Sequence, residues 1–137
     1  MNRQQVLELI GQQGTPLDLE CVGVKYAFDF NCTPKTFDNR LVFELGRNDV
    51  DIPIVVDPQD GHVHFYDHNG LSFINSSFSQ MLRTFALVNK WDIPDDLPDA
   101  ERASLFNIRM LEIDSKCFRD PAACWSTMRE EIEYGVI

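Results

Sequence analysis

The chain has no long apolar run and no paired-cysteine motif among its 137 residues. No stretch approaches the roughly 20 apolar residues that a membrane-spanning helix needs, and the polar residues 1–5 do not resemble the start of a signal peptide. The four cysteines form no C-x-x-C pair and match no zinc-knuckle spacing; they lie at Cys21, Cys32, Cys117 and Cys124. These absences argue against a disulfide framework and predict a cytoplasmic protein with reduced thiols.

Basic residues are also scarce. There are 12 Lys and Arg residues against 22 Asp and Glu, which gives a formal net charge of −10. A negative charge of this size repels nucleic-acid phosphates and anionic membrane surfaces, so we expect neither as a partner. It favours a cationic partner, such as a basic protein. Solubility alone also explains an acidic surface, and the charge by itself does not decide between the two.

Apolar and aromatic residues, by contrast, are plentiful. Hydrophobic residues make up 44% of the chain and include 10 Phe, 3 Tyr and 2 Trp. Disordered chains are poor in such residues, and a chain of this length can bury a core without disulfides or metal. No linker, repeat or low-complexity tract divides the sequence. We therefore expect one domain spanning residues 1–137.

A helix and then β structure are predicted in the first half. Val6, Leu7 and Ile10 share one face of a helix over residues 3–13, which Gly14 is expected to end. The irregular stretch that follows contains two short apolar pieces that could be strands, at residues 22–24 and 26–28. Clear strands are predicted at residues 41–45, 52–56, 62–66 and 71–74. Asp60-Gly61 and Asn69-Gly70 are typical hairpin turns, so these strands should form an antiparallel meander.

Three further helices are predicted in the second half. Ser77 and Gln80 form a capping-box pattern for a helix ending near Lys90, with an apolar stripe of Phe78, Met81, Leu82, Phe85 and Val88. The next covers residues 100–113, with Leu105, Ile108 and either Leu111 or Glu112 on neighbouring faces. The last begins at Asp120-Pro121, ends at Gly135, and directs inward Trp125, Met128 and Ile132. The expected class is α+β: a central antiparallel sheet flanked by N-terminal and C-terminal helices.

Two blocks of sequence resemble a known family. The first is Gly-His-Val-His-Phe-Tyr-Asp at residues 61–67, followed by Phe-Ile-Asn-Ser-Ser-Phe at residues 73–78 and by Met81-Leu82. The second comprises Ile113-Asp114, Asp120-Pro121, Trp125-Ser126-Thr127-Met128 and residues 130–135. In this order and spacing they resemble the SUKH superfamily of bacterial immunity proteins, related to the Smi/Knr-type fold. The C-terminal block is most similar to the fourth SUKH immunity subfamily.

The resemblance implies a SUKH-like fold, no catalytic residues and no cofactor. It also implies a function: the protein would bind a cognate toxin domain and neutralise it. The alternative is a general protein-interaction module of the same fold that serves a housekeeping partner. Neither interpretation fixes the oligomeric state.

Acidic clusters are the candidate binding surface. No Lys or Arg occurs between Arg47 and Arg83, and the acidic candidates in that interval are Asp57, Asp60 and Asp67. A second run without basic residues contains Asp92, Asp95, Asp96, Asp99 and Glu101. Nucleases and nucleic-acid-modifying toxins are basic because they hold phosphates. Together with the family resemblance, this predicts that the clusters dock a basic toxin domain, although solvated loops would look the same.

A metal site and an enzyme are the remaining possibilities. His62 and His64 are two residues apart on a predicted strand and could bind one metal ion, with His68 completing the set. The sequence offers no dedicated further ligand, so we expect no metal. Turn preference explains Asp57 and Asp60 better than acid–base catalysis does. No recognised catalytic motif is present, and we expect no enzymatic activity.

Overall fold

A six-stranded antiparallel sheet forms the middle of the chain, with one helix before it and three after it. The computed structural model describes residues 1–11 and 18–136. The strands are β1 (Asp18–Cys21), β2 (Val24–Phe37), β3 (Arg40–Asn48), β4 (Pro53–Val56), β5 (Val63–Asp67) and β6 (Gly70–Asn75). The helices are α1 (Arg3–Gly11), α2 (Phe78–Lys90), α3 (Asp99–Ile113) and α4 (Cys124–Glu133). The predicted α+β class is confirmed.

The sheet is a meander in which each strand pairs with the next along the chain. The four predicted strands correspond to β3 through β6, and the Ser77 cap of α2 is also present, with its side chain accepting a hydrogen bond from the Gln80 N–H. The predicted end of the first helix, at residues 12–14, lies outside the described residues. No helix in the described ranges has the length and apolar character required to cross a membrane.

Strand β2 contains the possible strand at residues 26–28, whereas residues 22 and 23 of the other piece form the turn between β1 and β2. The register between β2 and β3 breaks between Phe28 and Thr33, so four residues of β2 bulge opposite the single residue Leu45 of β3. Arg3 of α1 holds this bulge by donating from Nε to the carbonyl of Asn31 at 2.9 Å. A Cβ on Gly46 would collide with the backbone of β2, so glycine permits the close approach of the two strands there.

Helices cover one face of the sheet and form the main core with it. From α2, the buried side chains are Phe78, Met81, Thr84, Phe85 and Val88, whereas Leu82 of the predicted stripe is half-buried. Their partners on the sheet include Phe28, Leu45, Ile54, Val63 and Ile74. Phe85 is central to this core: its ring lies 5.1 Å from the ring of Tyr26 and 5.6 Å from that of Trp125.

A smaller cluster occupies the opposite face of the sheet. Val55 pairs with His64, which pairs with Phe73, so these three side chains share that face, and all are buried. The ring of Phe37, at the tip of the β2–β3 hairpin, stacks on Tyr66 at 3.7 Å. The tip of the hairpin therefore lies against Tyr66 on this face, and the Arg119 guanidinium lies 3.9 Å from the centre of the Phe73 ring beside His64.

Two helices differ from their predicted form. In α3 the buried residues are Arg102, Ala103, Phe106 and Met110, whereas Ile108 and Leu111 are exposed. Asp120-Pro121 does not start the last helix, because residues 120–123 form a turn in which Ala123 donates to the Asp120 carbonyl, and α4 begins at Cys124. Trp125 and Ile132 of α4 are buried as predicted, and Met128 is half-buried.

A buried polar network joins the end of the sheet to three helices. Asp114, at the end of α3, accepts hydrogen bonds from the Asn75 side chain at 3.0 Å and from the Ser76 N–H and hydroxyl at 2.8 Å. The side-chain oxygen Oδ1 of Asn75 accepts hydrogen bonds from the Thr84 hydroxyl of α2 and from the indole N–H of Trp125 of α4, both at 3.0 Å. Burial by itself raises the pKa of Asp114, but the hydrogen bonds outweigh it and hold the pKa below its ordinary value.

The central position of Phe85 gives the first prediction. Phe85→Ala should lower the free energy of unfolding by about 3–5 kcal/mol, because it leaves a cavity between the sheet and α4. Leu82→Ala, on the same helix but half-buried, should cost clearly less. Urea denaturation of both variants measures the difference. Equal losses would mean that Phe85 is not at the centre of the core.

The polar network gives the second prediction. Asp114→Ala should lower the free energy of unfolding by about 4 kcal/mol, because the donors of Asn75 and Ser76 would lose their partner in the interior. Asp120→Ala is the matched control: its carboxylate accepts one bond, from the Ala122 N–H, in an exposed turn. The control should cost less than about 1 kcal/mol. Chemical denaturation that ranks the two variants alike would contradict the role given to Asp114.

Candidate functional site

The acidic residues from the end of α2 to the first turn of α3 lie in one segment, which we call the acidic loop (residues 92–101). Ile93 anchors it in the core at 5% exposure. The exposed fraction of the side chain is 70% for Asp92, 92% for Asp95 and 52% for Asp99. Asp96 and Glu101 are also exposed. All five predicted site residues of this cluster therefore reach solvent.

The acidic loop has basic residues beside it in space, although none lies within it in sequence. Arg109 of α3 forms an ion pair with Asp92. Arg102 lies 3.6 Å from Asp95 and 3.7 Å from Asp99, and its guanidinium carbon is 5.9 Å from the centre of the Trp91 ring. Three of the five carboxylates thus pair with two guanidinium groups of α3, and the five acidic residues outnumber these two arginines, so the surface stays negative.

The other predicted acidic cluster, between Arg47 and Arg83, is not a single surface; it comprises Asp57, Asp60 and Asp67. Asp57 is 1% exposed and forms an ion pair with Arg40, while its other oxygen accepts from the Gln59 N–H. Its prediction as a docking residue is wrong, because a paired carboxylate inside the fold cannot meet a partner. Asp60 is exposed in the turn before β5, and Asp67 is half-buried at the far end of that strand. The three carboxylates therefore differ in exposure and do not form one exposed surface.

An apolar groove, which the sequence did not predict, adjoins the acidic loop. We call it the Trp91 groove: its volume is about 370 Å³, and its walls come from Val22 in the β1–β2 turn, Val88 and Trp91 at the end of α2, and Met128 of α4, with Glu20 and Asn89 at the edge. The one feature of the sequence that pointed to it was Trp91, which lies directly between an amphipathic helix and an acidic run. The Trp91 N–H donates to the Leu87 carbonyl, which fixes the residue at the helix end.

The three histidines do not come together as a metal site. His62 lies 3.2 Å from Asp60, and its ring centre is 6.4 Å from that of His64. His68 lies beyond the other end of β5, in the β5–β6 turn. Across the described ranges no group of three or more His, Cys, Asp or Glu residues is arranged to hold a metal ion.

His64 is unusual because its imidazole is buried without partners. It is 6% exposed, and within the described part of the chain neither ring nitrogen has a hydrogen-bond partner. Burial lowers the pKa of His64 from 6.5 to about 4. The nearby Asp60 carboxylate opposes the shift, whereas Arg40 and His62 reinforce it. The ring is therefore neutral at physiological pH and packs as an aromatic group near Phe73.

The four cysteines share raised pKa values. All four are free thiols. Burial raises the pKa of Cys21, Cys117 and Cys124 to about 12, and it raises that of Cys32 as well. A thiol with a raised pKa is protonated and is a poor nucleophile. The cysteines therefore pack as small apolar side chains.

Comparisons with protein-family models, with curated proteins and with solved structures find no match to this chain. The SUKH resemblance therefore remains a prediction from the sequence.

The burial of His64 gives the third prediction. The unfolded chain takes up a proton near pH 6.5 and the folded chain near pH 4, so the free energy of unfolding should fall as the pH drops through this window. The contribution of His64 is about 3 kcal/mol. His64→Leu should remove it, so that the stability difference between the variant and the wild type changes by that amount between pH 7 and pH 4.

Chemical denaturation at several pH values measures this difference. His68→Leu, at an exposed position in the β5–β6 turn, is the matched control for a histidine-to-leucine substitution. If His64→Leu and the wild type lose stability in parallel on acidification, the imidazole is not excluded from solvent.

Proposed function

We propose that the protein is a bacterial immunity protein that binds a basic protein toxin, such as a nuclease or nucleic-acid-modifying domain, and blocks its action. The observation that carries this proposal is the acidic loop, with five exposed carboxylates supported by α3. The resemblance of residues 61–82 and 113–135 to SUKH immunity proteins supplies the biological role. The proposal includes no catalytic residue and no cofactor.

The charge of the surface suits this role physically. A toxin that holds phosphates carries a basic face, and a negative surface accelerates encounter with it. The same charge of −10 works against contact with nucleic acid or an anionic membrane, so the proposed partner is the toxin protein itself. Four free thiols fit a reducing compartment, and we place the proposed action in the cytoplasm.

The acidic loop gives the fourth prediction. The probe is the purified toxin domain encoded beside the gene for this chain. Replacing Asp92, Asp95, Asp96 and Asp99 with Asn should lower the association rate constant by roughly tenfold at low salt, because it removes the steering field. The variant should also flatten the salt dependence of association, since the screening length falls from about 10 Å at 0.1 M to about 3 Å at 1 M.

A charge-matched control separates this surface from the overall charge. It carries four exposed substitutions away from the loop: Glu8→Gln, Asp29→Asn, Asp38→Asn and Asp49→Asn. Stopped-flow association should show a smaller effect for the control than for the loop variant. Equal effects would contradict docking at the loop. No binding of wild-type protein to the neighbouring gene product, or no toxin gene beside it, would contradict the immunity function and favour an interaction module with a housekeeping partner.

A further inference from the structure

The acidic loop is contiguous with the Trp91 groove. Trp91 is followed directly by Asp92, and Arg102 connects the indole to Asp95 and Asp99. Glu20, which is exposed, also lines the groove, and it pairs across the strands with Lys25. Carboxylates therefore border an apolar depression, and the nearby basic residues include Lys25, Lys90, Arg102 and Arg109.

The walls of the groove are held in place before any partner arrives. The Trp91 ring packs 5.9 Å from the ring of Phe106 in the core and 5.9 Å from the Arg102 guanidinium. The Asn89 side chain donates a hydrogen bond to the Glu20 carbonyl of β1 and accepts one from the Val22 N–H, which ties α2 to β1 and to the β1–β2 turn. A preformed apolar depression loses little entropy when it is filled, which is a property of anchor pockets at interfaces.

We propose that the Trp91 groove binds one large apolar side chain of a partner protein, in a segment where Lys or Arg residues flank that side chain. The inference rests on the proposed function, since the partner is the toxin. The groove volume of about 370 Å³ accommodates a leucine, methionine or phenylalanine side chain, and the flanking basic residues would meet Glu20 and the acidic loop. A second copy of this chain fits poorly, because two such acidic surfaces repel.

The two parts of the surface should act on different rate constants. Exposed charges at the rim govern association, whereas a buried apolar anchor governs dissociation. Removing the anchor should therefore shorten the lifetime of the complex without changing its salt dependence. This separates the groove from the acidic loop in one kinetic experiment.

The test uses Val22→Asn and Trp91→Ala with the neighbouring toxin domain. Val22 is 55% exposed and has a left-handed φ of 52°, a conformation that asparagine adopts more easily than valine, so this variant keeps the fold. Both variants should raise the dissociation rate constant by roughly tenfold or more and leave the association rate unchanged. Ile108→Ala, an exposed apolar residue of α3 outside the groove, is the matched control and should change neither rate.

A second measurement does not depend on the toxin. A short peptide with one leucine between lysines should shift the NMR methyl signals of Val22, Val88 and Met128 at millimolar concentration. Peptides with serine in place of leucine, or with glutamates in place of the lysines, should not shift them.

The outcomes are distinguishable. Unchanged dissociation of a tight toxin complex in both variants overturns the groove and leaves the immunity function standing. Absence of any toxin complex overturns the immunity function, and the peptide result then decides about the groove alone. Dimerisation of the wild type that Val22→Asn abolishes would show that a second copy fills the groove, and it would overturn the proposal.

Discussion

Asp114 and Asn75 form the contact on which the arrangement of the helices depends. Each helix after the sheet packs mainly through apolar side chains, and such packing alone tolerates sliding and rotation. The network adds direction, because Asn75 can satisfy Thr84, Trp125 and Asp114 together in only one arrangement of α2, α3 and α4. A buried carboxylate without these partners would be costly, so competing packings are penalised. The acidic loop connects two of these helices, and the Trp91 groove lies between α2, α4 and the β1–β2 turn, so both depend on this arrangement.

Much of the fold could be predicted from local signals. Asp60-Gly61 and Asn69-Gly70 specify hairpins, and Ser77 specifies the start of a helix, through chemistry confined to a few residues. Strand β2 was also present in the sequence: apolar residues alternate with polar or small ones from Val24 to Thr33. The stretch after the first helix looked irregular as a whole, but this alternation is the pattern of a half-buried strand. What the pattern could not reveal is the bulge after Phe28, since it depends on how β3 pairs.

The remaining errors arise from tertiary structure. In α3 the helical period allowed two apolar faces, and packing against α4 and Trp91 selected the one with Ala103, Phe106 and Met110. Asp57 looked like an ordinary turn aspartate, but the structure buries it and brings Arg40, from the start of β3, to its carboxylate. Arg40 and Asp57 are far apart in sequence, so no local pattern predicts their contact. The acidic loop was easier to predict because its carboxylates depend on no distant partner for their exposure.

The candidate surface combines two kinds of interaction that differ in range. Charge on the acidic loop acts across several ångströms of water and is tolerant of geometry, so it can survive many substitutions. The Trp91 groove acts only at contact and requires a complementary shape. Under the proposed function, discrimination between related basic toxins cannot come from the charge alone, because all of them share it. It must come from the contact surface, and the apolar groove held between α2, α4 and the β1–β2 turn is the part of this region with a defined shape. The division also explains why sequence reasoning found the acidic loop and missed the groove. Exposed charge is encoded residue by residue, whereas a groove exists only after three distant segments have packed together.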